Sequence, residues 1–143
     1  MKTGWYNENT EYIVVKSLHN GNRQSLIMGA QNQGRGRWSI MMGVFPCNAT
    51  YHSMATSPAW GQPTSTNKNP SIGSLSLALE MLTEVEQEIH NHANGKRAYI
   101  YVDGLDTRRL RVYTAVLTKR CGYKKSTVKS YLAMGMPLLY KQV

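Results

Sequence analysis

Cysteine is scarce: the chain of 143 residues has two, Cys47 and Cys121, with no CxxC spacing between them. That argues against a structural zinc site and for reduced thiols in a cytosolic setting. No run of about 18 apolar residues occurs, so no membrane span is expected. The opening "MKTGWYNENTEY" has no apolar h-region, so no secretory leader is expected either. Low-complexity tracts and internal repeats are missing, and the length suits one folded domain over residues 1–143. HExxH, GxSxG and the P-loop lysine motif are all absent, which removes three familiar catalytic signatures. Negative charge is the most unevenly missing feature. Residues 1–95 hold six basic and six acidic side chains, whereas residues 96–143 hold eleven basic ones against Asp103 and Asp106 alone. The whole formal excess of +9 therefore lies in the last third, which points to an anionic partner such as nucleic acid, an acidic protein or a phosphorylated cofactor.

What is present reads first as strands. "EYIVVKSL" (residues 11–18) is β-branched and ends at the turn signal "HNGN". "RQSLIMGA" and "RWSIMMGVF" are two further apolar runs joined by "QNQGRGR" as a hairpin or meander. "NATYHSMAT" (residues 48–56) alternates and predicts a fourth, weaker strand. "SPAWGQPTSTNKNP" (residues 57–70) predicts a long loop, a kind usually functional or mobile. A helix follows, with Leu75, Ala78, Leu79, Leu82, Val85 and Ile89 on one stripe, Glu80, Glu84 and Glu88 on a solvated one, and Asn94–Gly95 as its C-cap. "AYIYVD" (residues 98–103) is a continuous apolar run of the kind buried on both faces. Asp106 or Thr107 can cap a second helix, with Leu110, Tyr113, Val116 and Leu117 inward. "CGYKKST" closes it, and "VKSYLAM" and "PLLYKQV" predict two last strands. The fold class expected is α+β: a mostly antiparallel twisted sheet with two main helices and a central parallel pair. The strand over residues 48–56 and "AYIYVD" would form that pair through a right-handed crossover.

This order, antiparallel strands followed by loop, helix, strand, helix and a final hairpin, resembles the GCN5-related N-acetyltransferase fold, in particular small degenerate members of the kind phage genomes carry. The resemblance covers residues 24–143 and is best over residues 71–123. In that family a loop of pattern Q/R-x-x-G-x-G/A precedes a helix and holds the coenzyme A pyrophosphate on its N–H groups. Here the match is Lys68, Asn69, Pro70, Ser71, Ile72 and Gly73, with Ser74 opening the helix. Ser71 replaces the first glycine and Pro70 removes one donor. The same loop also reads as an ordinary helix start with Ser71 or Ser74 as its cap. "QNQGRG" fits the pattern letter for letter but leads into a strand, so Gly34 and Gly36 read as turn glycines with Arg35 and Arg37 exposed at a hairpin tip. The resemblance implies acetyl-coenzyme A at Lys68–Ser74 and along residues 51–56, including Met54 and Thr56. It also implies acyl transfer to an amine. The family tyrosine four residues before a glycine is missing: Thr118 stands before Gly122 and Tyr123, and Tyr113 lies a turn earlier, on the apolar stripe.

General-base candidates are few. Asp103 ends the apolar strand, where open sheets place ligands. Asp106 reads as a helix cap. His52 suits proton transfer at neutral pH but equally a half-exposed strand position. Cys121 reads as a small buried hydrophobe. His90 and His92 suit a helix C-terminus rather than a metal, and no metal is expected. Arg108, Arg109, Arg111, Lys119, Arg120, Lys124, Lys125 and Lys129 form a basic set able to neutralise phosphates. The expectation is therefore a cytoplasmic acyl-coenzyme A-dependent N-acyltransferase, an inactive relative binding nucleic acid or an acidic protein through its basic third, or a virion or assembly protein of the same fold. If phage-encoded, it would work in the host cytoplasm.

Overall fold

The computed structural model describes residues 1–19, 21–58, 60, 74–102, 107–129 and 137–143; the side chains of Ser74, residues 107–113, Lys129 and Pro137 fall outside the description. Four strands come first: β1 (Gly4–Tyr6), β2 (Glu11–Leu18), β3 (Gln24–Asn32) and β4 (Arg37–Pro46). They pair in sequence order, each antiparallel to the next. Their turns use the left-handed backbone that Asn and Gly tolerate: Asn7 and Asn9 lie at φ 52° and 62° between β1 and β2, and Gly34 and Gly36 at φ 84° and 72° between β3 and β4. The "QNQGRGR" segment is thus the hairpin turn that its composition predicts. Asn32 Oδ1 accepts from the Gly34 N–H at 2.8 Å, which helps fix the turn.

The remaining elements are α1 (Tyr51–Ala55), α2 (Ser74–Ala93), β5 (Tyr99–Val102), α3 (Thr107–Arg120), β6 (Lys124–Lys129) and β7 (Pro137–Gln142). One seven-stranded sheet results, in the order β1-β2-β3-β4-β5-β7-β6. β4–β5 is its parallel pair; the other neighbours run antiparallel. The α+β class and the mixed, mostly antiparallel sheet agree with the reading of the sequence.

Both faces of the sheet are covered, by different elements. On one face Val14, Leu26, Met28, Ala30, Trp38, Ile100 and Leu139 meet Met81, Leu82, Val85 and Ile89 of α2 and Leu117 of α3. The stripe expected from Leu75 to Ile89 is the stripe that packs. Fully burying side chains of this size stabilises by about 1.5–3 kcal/mol each. The acidic stripe is only partly solvated: Glu84 pairs with Lys16 at 2.9 Å, and Glu88 accepts from Trp5 Nε1 at 3.1 Å. On the other face Ile13, Ile27 and Phe45 meet Ala49, Met54 and Trp60. Trp60 lies directly on Gly29, where a Cβ would come within 2.8 Å of its ring.

Four expectations change. Residues 48–56 are not a strand. Thr50 and Ser53 form a reciprocal capping box that starts α1, and a single buried residue, Met54, anchors this five-residue helix. Alternation over so short a stretch does not separate strand from helix. The parallel partner of β5 is consequently β4. β5 is not buried on both faces: Ile100 and Val102 are buried, while Tyr99 and Tyr101 are half-exposed. Lastly, "KKST" belongs to β6 rather than to the helix end, because Gly122, at φ 79°, stops α3 and strand pairing begins at Lys124.

Candidate functional site

Strand register places the chemistry. β4 pairs with β5 only from Arg37 to Ile40, against Tyr99 to Val102. From Met41 to Pro46 it is laddered on its β3 side alone, and no described strand occupies the other. Among the described residues the pair is therefore a fork, closed at Arg37–Tyr99 and with no described strand beside β4 past Ile40–Val102. α2 leads into the closed end through Ala98, so its N-terminus lies toward the open end, 20 residues or about 30 Å away. Its first turn carries no acidic side chain to offset the positive end of the helix dipole.

The closed end is a second distinct place. Gly36 at the β3–β4 turn lies against the Arg97 backbone, and its carbonyl accepts from the Tyr99 N–H at 2.7 Å. The Val143 N–H donates to the Ala98 carbonyl at 2.9 Å, bringing the end of β7 to the same edge. Tyr140 of β7 pairs with Lys124, so the start of β6 and the end of α3 sit there too. Arg35, Arg37, Lys96, Arg97, Lys119, Arg120, Lys124 and Lys125 are thereby gathered on one end, all exposed and none in an ion pair among the described residues. Two nearby acids are engaged: Glu86 pairs with Lys141 at 3.0 Å and accepts from Tyr123 Oη at 2.8 Å, and Glu88 bonds Trp5. Glu8 stands in the β1–β2 turn, which meets the end of β3 where the Asn32 N–H donates to the Thr10 carbonyl at 2.9 Å.

Between these places runs a row of side chains on the α1 face. Tyr6, Glu11, Gln31, Ser39, Tyr101, Tyr140 and Lys124 are cross-strand partners in succession, one from each strand. α1 closes the first part of this row. Tyr51 stacks on Tyr6 with ring centroids 5.0 Å apart and donates to Glu11 Oε2 at 2.7 Å. Burial first, then the bond to Glu11, push the Tyr51 phenol up to about 12. Glu11 Oε1 and Trp60 Nε1 are buried there without a hydrogen-bond partner among the described residues. The second part stays half-exposed: Tyr101 and Tyr140 stack with centroids 6.0 Å apart, and Tyr99 lies beside them, next to Arg37.

Several residues singled out in the sequence do not come together. Met54, expected along the cofactor, is fully buried against the α1 face of the sheet, because the chain folds back there as a helix. Thr56 caps that helix and donates its hydroxyl to the His52 carbonyl at 2.7 Å. His52 is an exposed helix residue rather than a strand residue. Asp103 and Lys68, Asn69, Ser71, Ile72 and Gly73 lie outside the described residues, as do the side chains of Tyr113, Arg108, Arg109, Arg111 and Ser74. Arg35, Arg37, Lys119, Arg120, Lys124 and Lys125 do converge. Lys96 and Arg97, which join them, follow a helix end and drew no attention in the sequence. Tyr99 and Tyr101 were hidden by reading "AYIYVD" as wholly buried, although the spacing of two between the tyrosines puts them on one face.

A scan of protein-family models finds no match to this chain, and searches of curated proteins and of solved structures find none either. Among the described residues no cluster of three or more His, Cys, Asp or Glu side chains is placed to hold a metal ion. No described helix is long and apolar enough to cross a membrane.

Proposed function

We propose that the chain is a GCN5-related N-acetyltransferase-like domain that takes an acyl-coenzyme A in the β4–β5 fork and passes the acyl group to an amine. The carrying observation is the fork itself: among the described residues, the β4 edge from Met41 to Pro46 has a strand partner on its β3 side alone. Such an edge offers backbone N–H and C=O groups to an extended ligand bearing amides, as a pantetheine arm does. The α2 N-terminus, without acidic residues in its first turn, suits the pyrophosphate. The run of α2, β5, α3 and the final strand pair keeps the helix–strand–helix–hairpin part of the order that carries the resemblance, although α1 stands where a fourth strand was expected.

Bound there, the thioester supplies an activated acyl carbon. An amine nitrogen attacking that carbon would form the C–N bond as the C–S bond breaks, with the coenzyme thiolate leaving and taking up the proton the nitrogen loses. The chain's own share is placement, which alone can supply several kcal/mol of barrier reduction. The β4 edge holds the arm, and the row through Ser39 and Tyr101 ends one residue short of the fork. The acceptor in this reading is an amine on, or delivered by, an anionic partner drawn to the basic end.

Titration calorimetry with acetyl-coenzyme A tests this, beside a Gly73→Glu variant that puts negative charge just before α2. Saturable binding in the parent, lost in a variant with an unchanged melting curve, is the expected result. No heat with millimolar cofactor would remove the enzyme reading.

A further inference from the structure

From the cationic end and the open half of the tyrosine row together, we propose that the sheet face formed by β4, β5, β7 and β6 binds single-stranded nucleic acid. This names the anionic partner and stands whether or not the fork takes a cofactor.

The cations alone would allow a blander account. Lys96, Arg97, Lys119 and Arg120 follow or end helices, where positive charge suits the dipole. That account fails for the other four. Arg35 sits in a turn, and Arg37, Lys124 and Lys125 start strands, so no helix end explains them. All four are exposed and unpaired among the described residues. Eight exposed cations on one edge repel one another, and a polyanion relieves that repulsion.

The tyrosines decide which polyanion. Tyr99, Tyr101 and Tyr140 are half-exposed and belong to neither core cluster. They share a face with Arg37 at one margin and Lys124 at the other. A sheet face that offers aromatic rings between basic margins suits unpaired bases, which stack on any π-face while the phosphates meet the cations. A duplex keeps its bases stacked inside and gains nothing from the rings. An acidic peptide would use the cations and leave the rings idle. Among the described residues α1 and Trp60 cover the β2–β4 part of this face, and the tyrosines lie on the part they do not cover.

The test is fluorescence anisotropy of the full chain with labelled oligothymidine and oligouridine, against a duplex of equal length and polyglutamate. Expected is preference for the single strands, with a log–log salt slope of about −3 if four cations engage phosphates. Arg37→Ala and Lys124→Ala should each flatten that slope by about 0.7, whereas Lys2→Ala, at the opposite end of the sheet, should not. Tyr101→Leu and Tyr140→Leu keep apolar bulk. Each should weaken binding about tenfold at unchanged slope, with recovery in Tyr101→Phe and Tyr140→Phe. Circular-dichroism melts confirm that the compared variants are folded. Absence of binding at low salt, equal or tighter binding of the duplex or of polyglutamate, or full affinity in both folded leucine variants would each overturn the proposal. Failure of acetyl-coenzyme A to bind leaves these results untouched, so the two readings fail separately.

Discussion

Gly36 is where one methyl group should cost most for its size. Its φ is 72°, in the left-handed region, and a Cβ would lie 2.4 Å from the Arg97 carbonyl oxygen. Gly34, two residues earlier, has φ 84° but open space where its Cβ would stand. The pair therefore separates two effects. In both, alanine must take up a left-handed conformation, at about 1–2 kcal/mol. Only at Gly36 must backbone also move, straining the 2.7 Å bond from the Tyr99 N–H to the Gly36 carbonyl, a bond worth about 1 kcal/mol. Gly36→Ala should then cost about 2–4 kcal/mol and Gly34→Ala about 1–2 kcal/mol. At roughly 3–4 °C per kcal/mol for a chain of this size, the two melting temperatures should differ by several degrees. Urea denaturation of the two variants gives the same comparison at constant temperature. If both lose the same stability, the contact between the hairpin tip and the α2–β5 turn does not hold the closed end of the fork. Arg35 and Arg37 would then not be held against Lys96 and Arg97 by that contact.

Two other substitutions probe opposite faces of the sheet. Gly29→Ala would push a Cβ to 2.8 Å from both Ile13 Cδ1 and Trp60 Cζ2, so an overpacking loss of about 1–3 kcal/mol and a shift in tryptophan emission are expected; an unchanged melt would show that Trp60 does not sit on that glycine. Burial first, then the Glu86 carboxylate, raise the Tyr123 phenol above its ordinary value. The folded state thus keeps this proton where the unfolded chain gives it up, so its contribution holds below about pH 10 and falls as pH rises past that point. Tyr123→Phe should cost about 1 kcal/mol at neutral pH, through loss of the 2.8 Å bond to Glu86, and should flatten the alkaline fall in stability measured by denaturant titration; an equally steep fall would assign it to other tyrosines.

Long periodic segments were legible and short ones were not. The stripe of α2 repeats over about four turns from Leu75 to Ile89, and the inward face follows from it. The hairpin "QNQGRGR" was legible because Gly34 and Gly36 supply the dihedrals the turn needs. The stretch over residues 48–56 was misread because two physical signals compete there. Alternation favours a strand, while Thr50 and Ser53 favour a cap, and the cap prevails because Met54 finds a buried place beneath it. β5 was misread for another reason. Tyr, Ile and Val all count as apolar in a continuous run, so the run hides the alternation of hydroxyl-bearing and aliphatic residues. The convergence of the basic residues was the least legible of all. It depends on β4 and β5 being parallel neighbours, which places a turn at residue 35 beside a helix end at residue 96, and local sequence carries no trace of that pairing.

The two proposed surfaces are neighbours by construction of the sheet. Tyr101 stands opposite Ser39, and the next pair, Ile40 with Val102, is the last before the fork opens. One residue along a strand is about 3.3 Å, so a ligand in the fork would lie within a few ångströms of the tyrosine row. The cations at Arg37 and Lys124 flank that row rather than the fork, and attraction to them falls off over a Debye length of about 8 Å at physiological salt. A polyanion held there would therefore be anchored at the closed end with its unpaired bases reaching toward the open end. In the proposed reading that arrangement would supply an acceptor to the fork without bringing the partner's phosphates to the α2 N-terminus, where the cofactor's pyrophosphate would sit.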